Sequence, residues 1–278
     1  MKIPFFLLLS LCTVTVHGQL ITGTVTDART EQPVPYANIG LYRKQLGTVT
    51  NPQGSYQLKY FETMANDTVR VSSVGYKPKS FLFSQLRERP TVTLEENPIT
   101  LREVKVKGKG LTNIRTLGNK KDNDNITLNL ASNQSGTELG TIIYLKRRPS
   151  LLLNANFNIA DNGIGKLTFR VNLYRLINGR PSNEKLLDRD IIVTTAIRSG
   201  TFTVDLSPHK IVLDQDFLLA LEWVKTNGSS NQLSFNAGIG YARNDVYVRY
   251  TSQSNWVRED EGLAGMKPKI SFFVAVND

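Results

Sequence analysis

The residues best placed to do chemistry are few. Glu222 lies in Phe217–Lys225, FLLALEWVK, a run that is apolar on both faces. A carboxyl buried there would have its pKa raised, which suits the general acid of a glycoside hydrolase, an enzyme that needs only two carboxylates. The ordinary arrangement, and the one expected, points Glu222 outward while Phe217, Leu219, Leu221 and Trp223 face the core. His209 is the one histidine beyond His17, and it follows Ser207-Pro208 in a turn. No G-x-S-x-G elbow accompanies it, so a Ser-His-Asp triad is not expected. Asp122-Asn-Asp-Asn125 offers oxygens at alternate positions but lacks the turn glycine and closing glutamate of an EF-hand, and reads as a solvated loop. There is no phosphate loop and no dinucleotide fingerprint. No catalytic, cofactor or metal residue is assigned, and enzymatic activity is not expected.

Binding through aromatic side chains is the other chemistry the residues permit. Exported β-sandwich modules that bind sugars stack pyranose rings on exposed aromatics. Trp256 sits in the polar segment Ser-Asn-Trp-Val-Arg-Glu-Asp-Glu, Tyr247 and Arg249 share the polar face of one strand, and Tyr174 occupies the polar face of another. These four residues form the candidate ligand platform. The alternative is ordinary surface aromatics covering a sheet.

Strands must position all of them. Ile21, Gly23 and Val25 alternate with Thr22, Thr24 and Thr26, the period-two pattern of a half-buried strand. Pro33 and Pro35 lead into a strand with Ala37, Ile39 and Leu41 on one face, and Asn51-Pro-Gln-Gly54 makes a turn before Tyr56–Tyr60. Asp67–Val74, Lys79–Phe83 and Thr91–Glu95 supply further strands. Beyond residue 111, Leu167, Phe169, Val171 and Leu173 alternate with polar neighbours, as do Phe202, Val204 and Leu206. Ile270, Phe272, Val274 and Val276 mark a closing strand. Breaks at Asp161–Gly163, Asn178–Pro181, Ser207-Pro208 and Asn227-Gly228 have sandwich spacing. No long amphipathic helix and no repeat of fixed period is evident.

In the first of these regions the order G-x-V-x-D (Gly23 to Asp27), P-x-x-x-A-x-I (Pro33 to Ile39), G-T-x-T-x-x-x-G-x-Y (Gly47 to Tyr56) and S-x-V-G-Y (Ser72 to Tyr76) resembles the carboxypeptidase regulatory-like domain. The resemblance covers residues 20–96 and implies a transthyretin-like β-sandwich, similar to the domain at the N-terminus of many TonB-dependent outer-membrane receptors. Leu101-Arg-Glu-Val-Lys-Val-Lys-Gly108 is similar to the stretch that joins this domain to a receptor plug. The chain then has too few residues for a plug and barrel, so transport is not expected. The zinc site of a carboxypeptidase needs two histidines and a glutamate, and removal of the signal would leave His209 as the one histidine, so that site is not expected.

Met1-Lys2, the apolar run Ile3–Val16 and the small residue Gly18 read as a secretory signal. Leu9-Ser10-Leu11-Cys12 has the outline of a lipoprotein box, with Leu11 where a small residue is preferred. Cleavage after Gly18 would leave no cysteine, and hence no disulfide. The net charge of +10 reads first as a solvated basic surface and also suits an anionic glycan or a lipopolysaccharide surface; with export expected and no nucleic-acid motif, nucleic acid is not expected. No later apolar stretch reaches spanning length. The expectation is an all-β protein of two β-sandwich domains, the first transthyretin-like and the second a sandwich or jelly roll. Its segments are a signal peptide over 1–18, the regulatory-like domain over 19–97, a lysine-rich linker strand over 98–110 and the second domain over 111–278. The expected role is a non-catalytic protein of the cell envelope, in the periplasm or at the outer-membrane surface, that mediates interaction with an envelope protein or gives structural support; the alternative is a carbohydrate-binding module of an envelope glycan system.

Overall fold

The computed structural model describes residues 18–97, 113–120, 126–129, 134–226, 233–240, 245–259 and 266–278. The signal segment, Cys12, the linker strand, the Asp122–Asn125 loop and the Asn227-Gly228 break lie outside them, except for Gly18. The described residues are all-β, with one short α-helix at Phe83–Glu88 that period-two patterning did not anticipate. Its Phe83 and Leu86 are buried in the first core.

The N-terminal sandwich has two small sheets. One runs Ser55–Tyr60, Gln19–Asp27, Thr91–Leu94, the first pair antiparallel and the second parallel. The other runs Gly47–Val49, Asn38–Leu41, Thr68–Ser72, Lys79–Leu82. Val25, Ile39, Leu41, Leu58, Val69, Val71 and Val92 meet between them. Residues of the motif hold the frame. Asp27 Oδ1 accepts from the backbone N–H of Arg29 and Thr30, at 2.9 and 2.7 Å, and from the Thr30 hydroxyl at 2.9 Å, closing the loop that follows the first strand. These bonds, that to the Thr30 N–H foremost, hold the Asp27 carboxyl below its usual range. The Tyr56 hydroxyl donates to the Pro90 carbonyl at 2.8 Å directly over Gly23. A Cβ on Gly23 would stand 2.1 Å from that carbonyl and 2.5 Å from the hydroxyl, so only glycine admits the contact.

The larger sandwich packs two antiparallel sheets. The flatter one runs Arg180–Lys185, Leu167–Ile177, Phe217–Thr226, Glu138–Ile143, Val246–Arg249, Val257–Arg258, with Ile191–Thr195 also paired to Leu167–Ile177. The second is organised on the 13-residue strand Ser150–Asn162. That strand pairs with Phe272–Asn277 and then with Leu233–Gly240, and register shifts at Leu152/Asn154 and Ile159/Asp161 accompany the curl of the sheet. Its inner face meets Leu167, Phe169, Val171, Leu173, Phe217, Leu219, Leu221 and Trp223, the apolar alternation read from the sequence. Phe272 stands edge-on to Phe157 and Phe235 at 4.8 and 5.1 Å. Phe217–Thr226 is central, as its two apolar faces require.

Candidate functional site

The outer face of the flatter sheet is a second interior. Antiparallel register places Arg170 opposite Glu222, Glu222 opposite Glu138, and Glu138 opposite Arg249, so one row across adjoining strands reads Arg, Glu, Glu, Arg. Both glutamates are 0% exposed, Arg170 1% and Arg249 2%. Glu222 was expected to point into solvent. It does leave the apolar core, but the face it enters is covered.

Each charge is met. Arg170 Nη1 donates to Glu222 Oε2 at 3.0 Å, and its Nε lies 3.1 Å from Asp190 Oδ1. Arg249 Nε donates to Glu138 Oε1 at 2.9 Å and Nη1 to Asn183 Oδ1 at 2.8 Å. Asn172 Nδ2 bridges the glutamates, donating to Glu222 Oε2 at 2.8 Å and Glu138 Oε2 at 3.1 Å. The Tyr174 hydroxyl donates to Glu138 Oε2 at 2.9 Å and accepts from Arg249 Nη2 at 2.6 Å. Formal charge cancels once Lys185, which interacts with both glutamates, is set beside Arg170 and Arg249 against Glu138, Glu222 and Asp190. Burying two like charges on facing residues is tolerable only with such pairing.

Environment splits the two carboxyls. Burial pushes Glu138 up, Arg249 opposes the rise, and the Glu222 charge adds to it, leaving it above the ordinary value. Burial also pushes Glu222 up, but Arg170, Lys185, the Asn172 amide and Arg249 together pull it below. Glu138 is therefore the member that takes a proton first.

The N-terminal sandwich closes this row. The Tyr36 carbonyl accepts from Arg170 Nη2. With its amide oriented to suit its neighbours, Asn38 donates to Glu222 Oε1 at 2.8 Å and Ser252 Oγ at 3.1 Å and accepts from Arg170 Nη1 at 3.0 Å. Around them the Arg43 N–H donates to the Gln253 carbonyl at 2.9 Å, Gln253 Nε2 to Ser72 Oγ at 2.8 Å, and Gln134 Nε2 to the Gly47 carbonyl at 3.0 Å. Gly47 permits the approach: a Cβ there would lie 2.7 Å from the Ile39 carbonyl and 3.0 Å from Thr251 Cγ2.

The candidate platform residues come together beside the charge row. The Arg249 guanidinium lies 4.3 Å from the Trp256 ring centroid and 4.8 Å from that of Tyr174, and the two rings meet edge-on at 5.4 Å. Tyr174 and Arg249 are spent inside the network. Tyr247 and Trp256 line a cleft of about 340 Å³ with Arg180, Asn183, Asn255 and Arg258 among its walls. Trp223 is core. His209 ends the short turn Ser207–His209, and the Ser207 hydroxyl is committed to the Leu153 carbonyl at 3.1 Å. Among the described residues no group of three or more His, Cys, Asp or Glu could hold a metal, and no helix is long and apolar enough to cross a membrane.

Arg170, Glu138, Asn172 and Asn38 were not singled out from the sequence. The one signal was Glu222, an acid in an otherwise apolar run, which needs a buried counter-charge if it is not solvated.

Fold and site define a class: an all-β protein in which a small sandwich caps the ionised outer face of a larger one. The chain carries a CarboxypepD_reg-like domain, the family whose model matches residues 21–106. No curated protein matches the chain. Among solved structures, the chain is similar to the cysteine protease and lectin-like domains of a surface-layer-associated protein of Clostridium difficile, at 9% identity, TM-score 0.40, over 59% of this chain and 36% of that one. A form of the same clostridial protease after propeptide cleavage gives 11% identity and TM-score 0.42, over 59% and 40%. The structure of infectious bursal disease virus gives 10% identity and TM-score 0.25, over 94% and 61%. The chain thus spans well under half the length of the clostridial structures it matches.

Proposed function

We propose that this is a non-catalytic protein exported to the cell envelope, in which two sandwiches locked as one body present a surface to an envelope protein. The observation that carries the reading is the sealing of Glu138 and Glu222. This facing carboxylate pair is fully buried, bonded to guanidinium, amide and phenol groups, and roofed by Tyr36 and Asn38 of the other sandwich. Hydrolysis of a glycoside needs room for sugar and water between two carboxyls, and these carboxyls have neither. Their role is to fix the domains to each other. Export rests on the Met1–Gly18 sequence.

The test is fractionation followed by cross-linking in intact cells. The mature protein should be found in the envelope fraction, joined to one defined partner that recovers it in the reciprocal capture. Residence in the cytosol, or a free monomer under all native conditions, would overturn the reading. A second reading, glycan binding, is favoured by the cleft beside Trp256 and Tyr247.

A further inference from the structure

The walls of that cleft are cationic and aromatic. Arg180 and Arg258 stand on it, and no carboxylate is among the described residues that line it. Arg180 is exposed, and it makes no ion pair among the described residues. Tyr247 is only 7% exposed, yet its hydroxyl makes no hydrogen bond among the described residues. That hydroxyl is not among the buried polar atoms left without a partner, so it opens on the cleft, where a ligand can bond it. Asn255 offers an amide with no hydrogen bond among the described residues, and Asn183 retains its Nδ2 after accepting from Arg249. The Trp256 ring is held rigid by its Nε1 donation to the Ser182 carbonyl at 3.2 Å and by Arg249 against it at 4.3 Å. A fixed aromatic plane, neutral hydrogen-bonding groups and a guanidinium side chain are what a ring carrying both hydroxyls and an anionic group requires. The volume lies at the small end of ligand sites, fit for one or two sugar rings.

We infer that the cleft between Arg180–Lys185 and Val257–Arg258 binds an acidic saccharide, its pyranose ring against Trp256 and its carboxylate against Arg180. This deepens the glycan-binding reading and rests on it. The envelope-protein reading does not depend on it.

Calorimetric titration of the full chain with galacturonate oligosaccharides and with their methyl esters tests it, since the two series share a ring and differ in charge. The acid should bind and the ester bind at least tenfold more weakly, and the gap should narrow as salt is raised. Arg180→Gln, on an exposed side chain that leaves the fold intact, should weaken the acid about tenfold and leave the ester unchanged. Trp256→Ala should abolish both. Equal binding of acid and ester would overturn the inference while leaving the glycan reading standing. Binding of neither series, to a protein shown folded by its circular dichroism, would overturn both.

Discussion

Glu138 and Glu222 face each other on neighbouring antiparallel strands, and the Asn172 side-chain nitrogen reaches both carboxylates, at 3.1 and 2.8 Å. Two buried like charges on facing residues should be among the most costly features of a fold. They persist because Arg170 flanks one and Arg249 the other in the same register row.

Removing one charge alone should therefore be severe. Arg170→Met leaves Glu222 short of its guanidinium and should cost about 3–5 kcal/mol in urea unfolding. Removing the pair together, with Arg170→Met and Glu222→Leu, should cost less than either single change. A double variant whose cost equals the sum of the two single costs would show that the pair has no mutual dependence.

Acid and base should act on the two glutamates in opposite senses. Glu222, held below the ordinary value of 4.5, contributes stability that is present above that value and lost as pH falls through its lower folded pKa. Glu138, raised above the same 4.5, contributes stability that is present below it and lost as pH rises through its folded pKa. Denaturation measured across pH should show Glu138→Gln abolishing the decline on the alkaline side of 4.5, and Glu222→Gln flattening the fall on the acid side. Unchanged slopes in both variants would refute the assignment.

Within the N-terminal sandwich, Tyr56→Phe removes the hydrogen bond to Pro90 and should cost about 1 kcal/mol. Gly23→Ala should cost more, because its Cβ would have to displace both the Pro90 carbonyl and the Tyr56 ring. Thermal melting distinguishes them, and a Gly23→Ala protein as stable as wild type would contradict the packing described.

Gly47→Ala should loosen the domains without unfolding either core, since its Cβ would meet the Ile39 carbonyl and Thr251 at the junction. Calorimetry should show one melting transition in the wild type and a split or broadened one in the variant. A variant that still melts in one equally sharp transition would argue against Gly47 as a contact of the junction.

The apolar half of each strand was legible in the sequence. Leu167, Phe169, Val171 and Leu173 fall on one face by alternation alone, and all four are in the core. The opposite face, Arg170, Asn172 and Tyr174, was legible only as polar. A period of two separates the faces of a strand but cannot tell water from a polar interface, since both select hydrogen-bonding side chains. The charge row is invisible for a further reason: Glu138, Arg170, Glu222 and Arg249 are distant in sequence, and only the strand order brings them into line. The motif glycines were visible as turn and strand positions. That Gly47 makes room for Thr251 depends on a domain contact that local pattern does not encode.

The central claim is that the small sandwich is a ligand of the buried charge row, acting through Asn38. A double-mutant cycle on Asn38→Ala and Glu222→Gln, residues of different domains, measures it directly. The structure calls for a coupling energy of about 1 kcal/mol or more between them. Additivity within about 0.3–0.5 kcal/mol, the behaviour of independent sites, would contradict it.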